Sequence, residues 1–166
     1  CNFFESQKVP WTLTFGNHDE QGYYPIDWLT SYLTNLSSQY ESNLLFRDFP
    51  NDDVFGSANF VIDLPRYSQD NQSRQIVMLD SNRYNYGEGY GYDYIHGDQI
   101  DWYLRAYEAI RLEYQRSYPE REPSSLAFFH IPVPEFDDAW EAAQEGSPDA
   151  VFEYGEKREA VCCPDI

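Results

Sequence analysis

Asn17, His18, Asp19 and Glu20 set an amide, an imidazole and two carboxylates side by side, directly after the strand-like run 11–15 and a glycine. An ordinary turn needs only one or two polar residues. Four in a row supply groups that ligate a cation or move a proton. A second histidine, His130, ends the apolar run SSLAFFH, and Asp80 ends RQIVMLD. Strand ends under a rigid sheet hold side chains in place, and in an α/β fold the carboxyl edge of the sheet is where loops assemble a site. Each residue also has a plainer use. A single His after a strand more often caps or packs than ligates, and Asp80 before Ser81 and Asn82 suits a bond to its own turn backbone.

The elements that must position these groups alternate along the chain. PIDWLTSYLTNL has Pro25 at a first helical position and Ile26, Leu29, Leu33 and Leu36 spaced three and four apart, which predicts an amphipathic helix. SANFVIDL and RQIVMLD predict strands, the second covered on both faces because 76–79 is wholly apolar, and PRYSQDNQSR predicts a polar loop between them. SNRYNYGEGYGYDYIHG mixes Tyr and Gly too densely for any period, so a long surface loop is expected there. Its tyrosines are expected to pack along the loop in preference to stacking on a substrate ring or sugar.

DQIDWYLRAYEAIRLEYQRSY predicts a helix of four or more turns with Asp98 as N-cap, Ile100, Leu104, Tyr107 and Tyr114 on one stripe, and Trp102 at its edge. SSLAFFH predicts a short strand stopped by the prolines of IPVPEF, and DDAWEAAQEG a short helix with Gly146 in the left-handed position at its end. The expected α/β arrangement has the strands ending near Phe15, Leu79 and Phe129 inside, with the helix from Asp98 to about Arg116 over one face.

Length and charge exclude several function classes. The 166 residues, 42% hydrophobic, suffice for one domain or part of one. With 11 basic against 29 acidic residues and a formal charge of -18, a phosphate backbone is repelled over most of the surface, so no nucleic-acid partner is expected. An anionic small substrate requires bound cations that reverse the field locally. No apolar run approaches the roughly 20 residues of a membrane span, and CNFFESQK lacks the form of a signal peptide. The start of the chain, without Met and close to its first strand, reads as that of an excised piece. Cys1, Cys162 and Cys163 form neither a disulfide framework nor a usual zinc spacing. NLS at Asn35 and NQS at Asn71 are glycosylation triplets for a chain that enters a secretory pathway.

FGNHDE resembles the Gly-Asn-His-Asp/Glu motif of the calcineurin-like metallophosphoesterases. PWTLTFGNHD, GSANFVI, IVMLDSNRY, GDQIDWY and LAFFHIPVPE, in that order over residues 9 to about 135, resemble the branch related to purple acid phosphatases. The tail EKREAVCCP is similar to the segment leading toward that family's final metal-binding region.

The resemblance implies a metallophosphoesterase-type α/β fold, a β-sandwich flanked by helices (αββα), incomplete in this chain. It implies two divalent or trivalent ions (Fe, Zn or Mn) and metal-dependent hydrolysis of a phosphate ester substrate. On the same resemblance Asn17 and His130 are ligands of one metal, so their side chains must converge. His18 steadies the phosphate oxygens or protonates the leaving alkoxide, and Asp19 orients His18. Asp80 stays outside the ligand set. Amide oxygen and imidazole nitrogen are suitable ligands for these ions, and paired cations roughly 3.5–4 Å apart stabilise attacking and departing oxygens together.

The chain departs from the family in what it omits. Neither an Asp-x-His nor a Gly-Asp motif precedes Gly16, and no Gly-His-x-His motif follows before Ile166. GDQID does not replace them, because Gly97 and Asp98 come after Asn17, open a helix and match a non-ligating stretch of the family. Residues 1–166 are therefore expected to be a partial, internal phosphoesterase domain. With two ligands where a tight site needs about three or four, this segment alone is expected to bind metal weakly and to be nearly inactive. The alternative is a noncatalytic binding or structural domain that keeps the scaffold.

Overall fold

Ile26, Leu29, Leu33 and Leu36 lie on one face of a helix, and that face anchors the main apolar cluster. In the computed structural model, which describes residues 2–39, 41–48, 53–64, 71–85, 91–151 and 156, this helix is α2, Ile26–Ser37. A short helix, α1 (Asn2–Gln7), precedes it, and Pro25 takes the N-cap position one residue before the first helical turn. Ile26 and Leu33 are buried, and Leu29 and Leu36 pack against the same cluster. The cysteines and most of the tail from 152 onward lie outside the described residues, as do 65–70 and 86–90 of the two loops.

The larger sheet has three strands, β1 (Phe60–Leu64), β2 (Arg74–Met78) and β5 (Ser124–Phe128), in the order β1-β2-β5. β1 pairs antiparallel with β2, setting Phe60 opposite Met78, and β5 pairs parallel with β2, setting Phe128 opposite Met78. Side chains alternate between the faces of a sheet. Phe60, Ile62, Ile76 and Met78 accordingly share one face and join the α2 cluster with Phe15, Leu44 and Phe46. Gln75, Val77 and Ser125 alternate to the other side, where α3 (Gly97–Gln115) lies with Tyr103 Oη 2.7 Å from Ser125 Oγ. The result is a mixed α/β fold. α4 (Glu135–Gln144) ends at a turn with Gly146 at φ +77°, as its sequence predicts.

Several expectations are corrected. Residues 11–15 form no ladder strand. Trp11 makes one parallel bridge to Leu44, with Trp11 N–H donating to Asn43 O and Leu45 N–H to Trp11 O, and among the described residues the segment's backbone pairing stops there. Thr14 Oγ1 donating to Leu79 O, with Phe15 buried in the cluster, holds the segment in place. β5 is an exposed edge strand and does not lie inside. Leu126 is 61% and Phe128 45% exposed, since the layer that covers β1 and β2 stops short of them.

α3 also differs in detail. His96 takes the N-cap position, with its N–H donating to Gln99 Oε1, while Asp98 lies inside the first turn and accepts from Phe55 N–H. The stripe assigned to Ile100 and Leu104 faces outward. Tyr114 of that stripe is buried as expected, but Gln99 is buried in place of Ile100, because the first turns of α3 are rotated by about one residue from the apolar stripe. The Tyr/Gly region is not wholly loop. It contains a two-stranded hairpin of β3 (Tyr84–Asn85) and β4 (Gly91–Tyr92), with Tyr84 stacked on Tyr92.

Candidate metal centre

Two chain segments 113 positions apart meet at one hydrogen bond, His130 Nε2 to Asn17 Oδ1 at 2.9 Å. An amide oxygen only accepts, so this contact uses the His130 tautomer that carries a proton on Nε2, a proton a cation would displace. Asn17 is 4% exposed, whereas His130 lies open to solvent. Three local features set this geometry. Ser81 Oγ accepts from the N–H groups of His130 and Ile131, tying the turn after β5 to the end of β2. Thr14 ties the segment before Asn17 to Leu79. Gly16 lets the backbone approach the imidazole, for a Cβ there would sit 2.9 Å from the His130 ring.

The turn from Gly16 to a single 3₁₀ turn at Asp19–Gln21 presents the remaining polar groups. Asp19 Oδ2 accepts from Gly16 N–H at 2.7 Å, so this carboxylate closes its own turn. His18 is oriented by Gln21, its Nδ1–H donating to Oε1 at 2.8 Å, and not by Asp19 as expected. The Asp19 carboxylate is drawn to the backbone donor three residues earlier, a local Asx-type bond that the turn brings within reach. From the hairpin, Tyr84 Oη accepts from Asn17 Nδ2 at 2.9 Å, and Arg83 pairs with Glu20.

Asp80 lies close by in sequence order of the site but belongs to a different network. Its carboxylate accepts from Ser57 N–H at 2.7 Å and Asn82 N–H at 2.9 Å. Gln99 Nε2 donates to Asp80 O and to Asn59 Oδ1. Burial raises the Asp80 carboxyl above its ordinary range, the two backbone donors oppose this, and the nearby Asp93 charge adds to the rise. Gly56, at φ +79°, passes so near that a Cβ would meet Asn82 Oδ1 at 2.8 Å. Asp80 thus orders the adjoining loop through backbone hydrogen bonds.

Among the described residues no three His, Cys, Asp or Glu side chains gather in a group able to hold a metal ion. Asn17 and His130 therefore offer two donors, one amide oxygen and one imidazole nitrogen. Sequence reasoning missed Gly16, Gln21, Ser81 and Tyr84 as parts of the site. Only Gly16 carries a local signal, a glycine directly before the polar run. The others act through partners distant in the chain or through a choice among competing acceptors.

Comparison with known proteins agrees with the phosphatase theme. Over 140 residues, 79% of this chain, it is 30% identical to "Phosphatase DCR2" of Saccharomyces cerevisiae, of which this covers 22%. It is 28% identical over 170 residues to "Probable inactive purple acid phosphatase 14" of Arabidopsis thaliana, covering 95% of this chain and 39% of that protein. It is 30% identical over 143 residues to "Probable inactive purple acid phosphatase 29" of the same plant, covering 79% and 35%. The chain thus spans between about a fifth and two fifths of the length of these curated relatives. No protein-family model and no solved structure matches it. These distant similarities support a phosphatase-related family for the chain.

Proposed function

We propose that the intact protein hydrolyses phosphate esters at a dinuclear metal site to which this chain contributes Asn17 and His130. The observation that carries the reading is the 2.9 Å approach of Asn17 Oδ1 to His130 Nε2. Both atoms suit Fe, Zn or Mn, and both segments are anchored at the end of β2, His130 through Ser81 and the segment before Asn17 through Thr14 to Leu79. They make two of the roughly four donors of a tight site, and the remainder would come from outside the described residues. Bound ions would supply Lewis-acid polarisation of the phosphoryl oxygens and an activated water.

The chain's own residues have distinct tasks. His18 donates from Nδ1 to Gln21 Oε1, which leaves proton exchange with the phosphate or leaving group to Nε2. Asp19 holds the turn that presents His18. In this reading the mixed sheet of β1, β2 and β5 is part of a two-sheet sandwich flanked by helices. Asn35 and Asn71, both exposed, would be available to a glycosylating pathway in a secreted protein.

The test is metal content and phosphate-ester hydrolysis measured on the same preparations of the intact protein. Asn17→Ala and His130→Ala are expected to lower both metal affinity and turnover. Wild-type metal content and wild-type hydrolysis in both variants would overturn the assignment. A second reading, a noncatalytic domain on the same scaffold, is favoured by the names of two relatives, which carry "probable inactive". Full metal loading of the intact wild-type protein with no hydrolysis of any phosphate ester would favour it.

A further inference from the structure

We propose that Tyr84 is a positioning residue that fixes which way the Asn17 amide faces, an inference that rests on the metal role assigned to Asn17 above. A buried asparagine has one accepting and one donating end, and turning the amide over exchanges them. If Nδ2 pointed at His130, Asn17 would present no oxygen to a shared cation. Tyr84 Oη accepts the Nδ2 proton at 2.9 Å while Asn17 Oδ1 meets His130 Nε2 at 2.9 Å; with the hydroxyl acting as acceptor, as it also does toward Gln21 Nε2 at 3.5 Å, and His130 protonated on Nε2, the two contacts hold the amide one way round.

The hydroxyl is itself held from several directions. The Tyr84 ring stacks on Tyr92 across the hairpin, with centroids 5.4 Å apart. Gln21 Nε2 lies 3.5 Å from the same oxygen, and the His18 ring meets the Tyr84 ring edge to face at 6.5 Å. Next to it, Arg83 pairs with Glu20 of the 3₁₀ turn. The Tyr/Gly hairpin thus reaches the polar turn at Asn17, His18, Glu20 and Gln21. Among the described residues its tyrosine hydroxyl accepts from Asn17 Nδ2, the group beside the proposed ligating oxygen. Groups in this position orient ligands, and their loss typically lowers metal affinity or activity about 10- to 100-fold.

The decisive variant is Tyr84→Phe in the intact protein, which removes the hydroxyl and keeps the ring. Calorimetric titration of the metal-stripped protein with Zn²⁺ is expected to show affinity lowered about 10-fold or more. In an Asn17→Ala background the same change is expected to cost nothing further, because the amide it positions is gone. An equal loss in both backgrounds would mean a structural role and overturn the inference. Wild-type Zn²⁺ affinity in Tyr84→Phe, with weakened affinity in Asn17→Ala, would also overturn it while leaving the phosphoesterase reading intact. If Asn17→Ala binds Zn²⁺ as wild type does, the metal reading fails, and the amide lock is then judged without metal. Slow solvent exchange of the Asn17 side-chain amide protons that is lost in Tyr84→Phe would uphold the lock, and unchanged exchange would reject it.

Discussion

Asn17 and Asp80 are nearly equally buried, at 4% and 7% exposure, yet they spend their polar atoms differently. Both Asp80 oxygens go to backbone N–H groups of neighbouring loops, so its capacity is used in holding the chain. Asn17 instead meets two side chains, Tyr84 and His130, the second of which is open to solvent. A residue satisfied by backbone is a structural joint. One held between side chains at the surface keeps its orientation and remains able to exchange a partner for a ligand. Burial does not separate the two, and partner type does.

The comparison breaks most visibly at His18, next to Asn17 in the exposed turn. His18→Ala in the intact protein is expected to lower kcat by about 10²- to 10⁴-fold while leaving metal content and unfolding unchanged, the usual scale for positioned acid–base help. Steady-state hydrolysis at pH 5 to 8 beside metal analysis checks this. Unchanged turnover would remove the role, and lost metal would move His18 into the ligand set.

Asp80→Ala should do the reverse, destabilising the fold by ~2–4 kcal/mol, because Ser57 and Asn82 N–H groups lose their acceptor. Urea unfolding measures the loss, and a shift below ~1 kcal/mol would show that water replaces the carboxylate without penalty. The same group gives stability a pH dependence whose sign follows from its raised pKa. Between the ordinary aspartate range and the raised folded value, the folded state holds more protons than the unfolded. The contribution is full below this window and is lost as pH rises through it. Asp80→Asn, which cannot ionise, should lack that fall, and identical slopes in the two proteins would contradict the account.

The smallest effect tests the underlying rule. Gln75 is 2% exposed beneath α3, and its amide has no hydrogen-bond partner among the described residues. If satisfied partners are what make a buried polar group useful, Gln75→Leu should be neutral or stabilise by about 1 kcal/mol. A loss of more than ~1 kcal/mol in the unfolding free energy would show that Gln75 has a polar role.

Some of this was legible along the chain. The three-and-four spacing of Ile26, Leu29, Leu33 and Leu36 marked a helix, the apolar run 76–79 marked the central strand, and Gly146 marked a helix end. The turn role of Asp80 was also readable, since aspartate before a turn bonds to nearby N–H groups. These features depend on neighbours within a few residues, and local periods of 2 and 3.6 report them. The approach of Asn17 to His130 was implied by family resemblance alone, for no local period links residues 113 apart.

Only the tertiary structure decided which of the chemistry-bearing groups meet. Whether His18 turns to Asp19 or Gln21 is a competition among acceptors within reach of one donor, and α3 starts after His96 with Asp98 drawn to the distant Phe55 N–H. The outcome of such a competition shifts with displacements of an ångström or so. The exposure of Leu126 and Phe128 depends on how far the α2 layer extends across the sheet, and the burial of Gln99 in place of Ile100 on how α3 is rotated above it. Types and spacings determined the elements and the candidate groups. Their mutual placement, a sum of contacts between distant segments, determined which of those groups bond to backbone and which to other side chains.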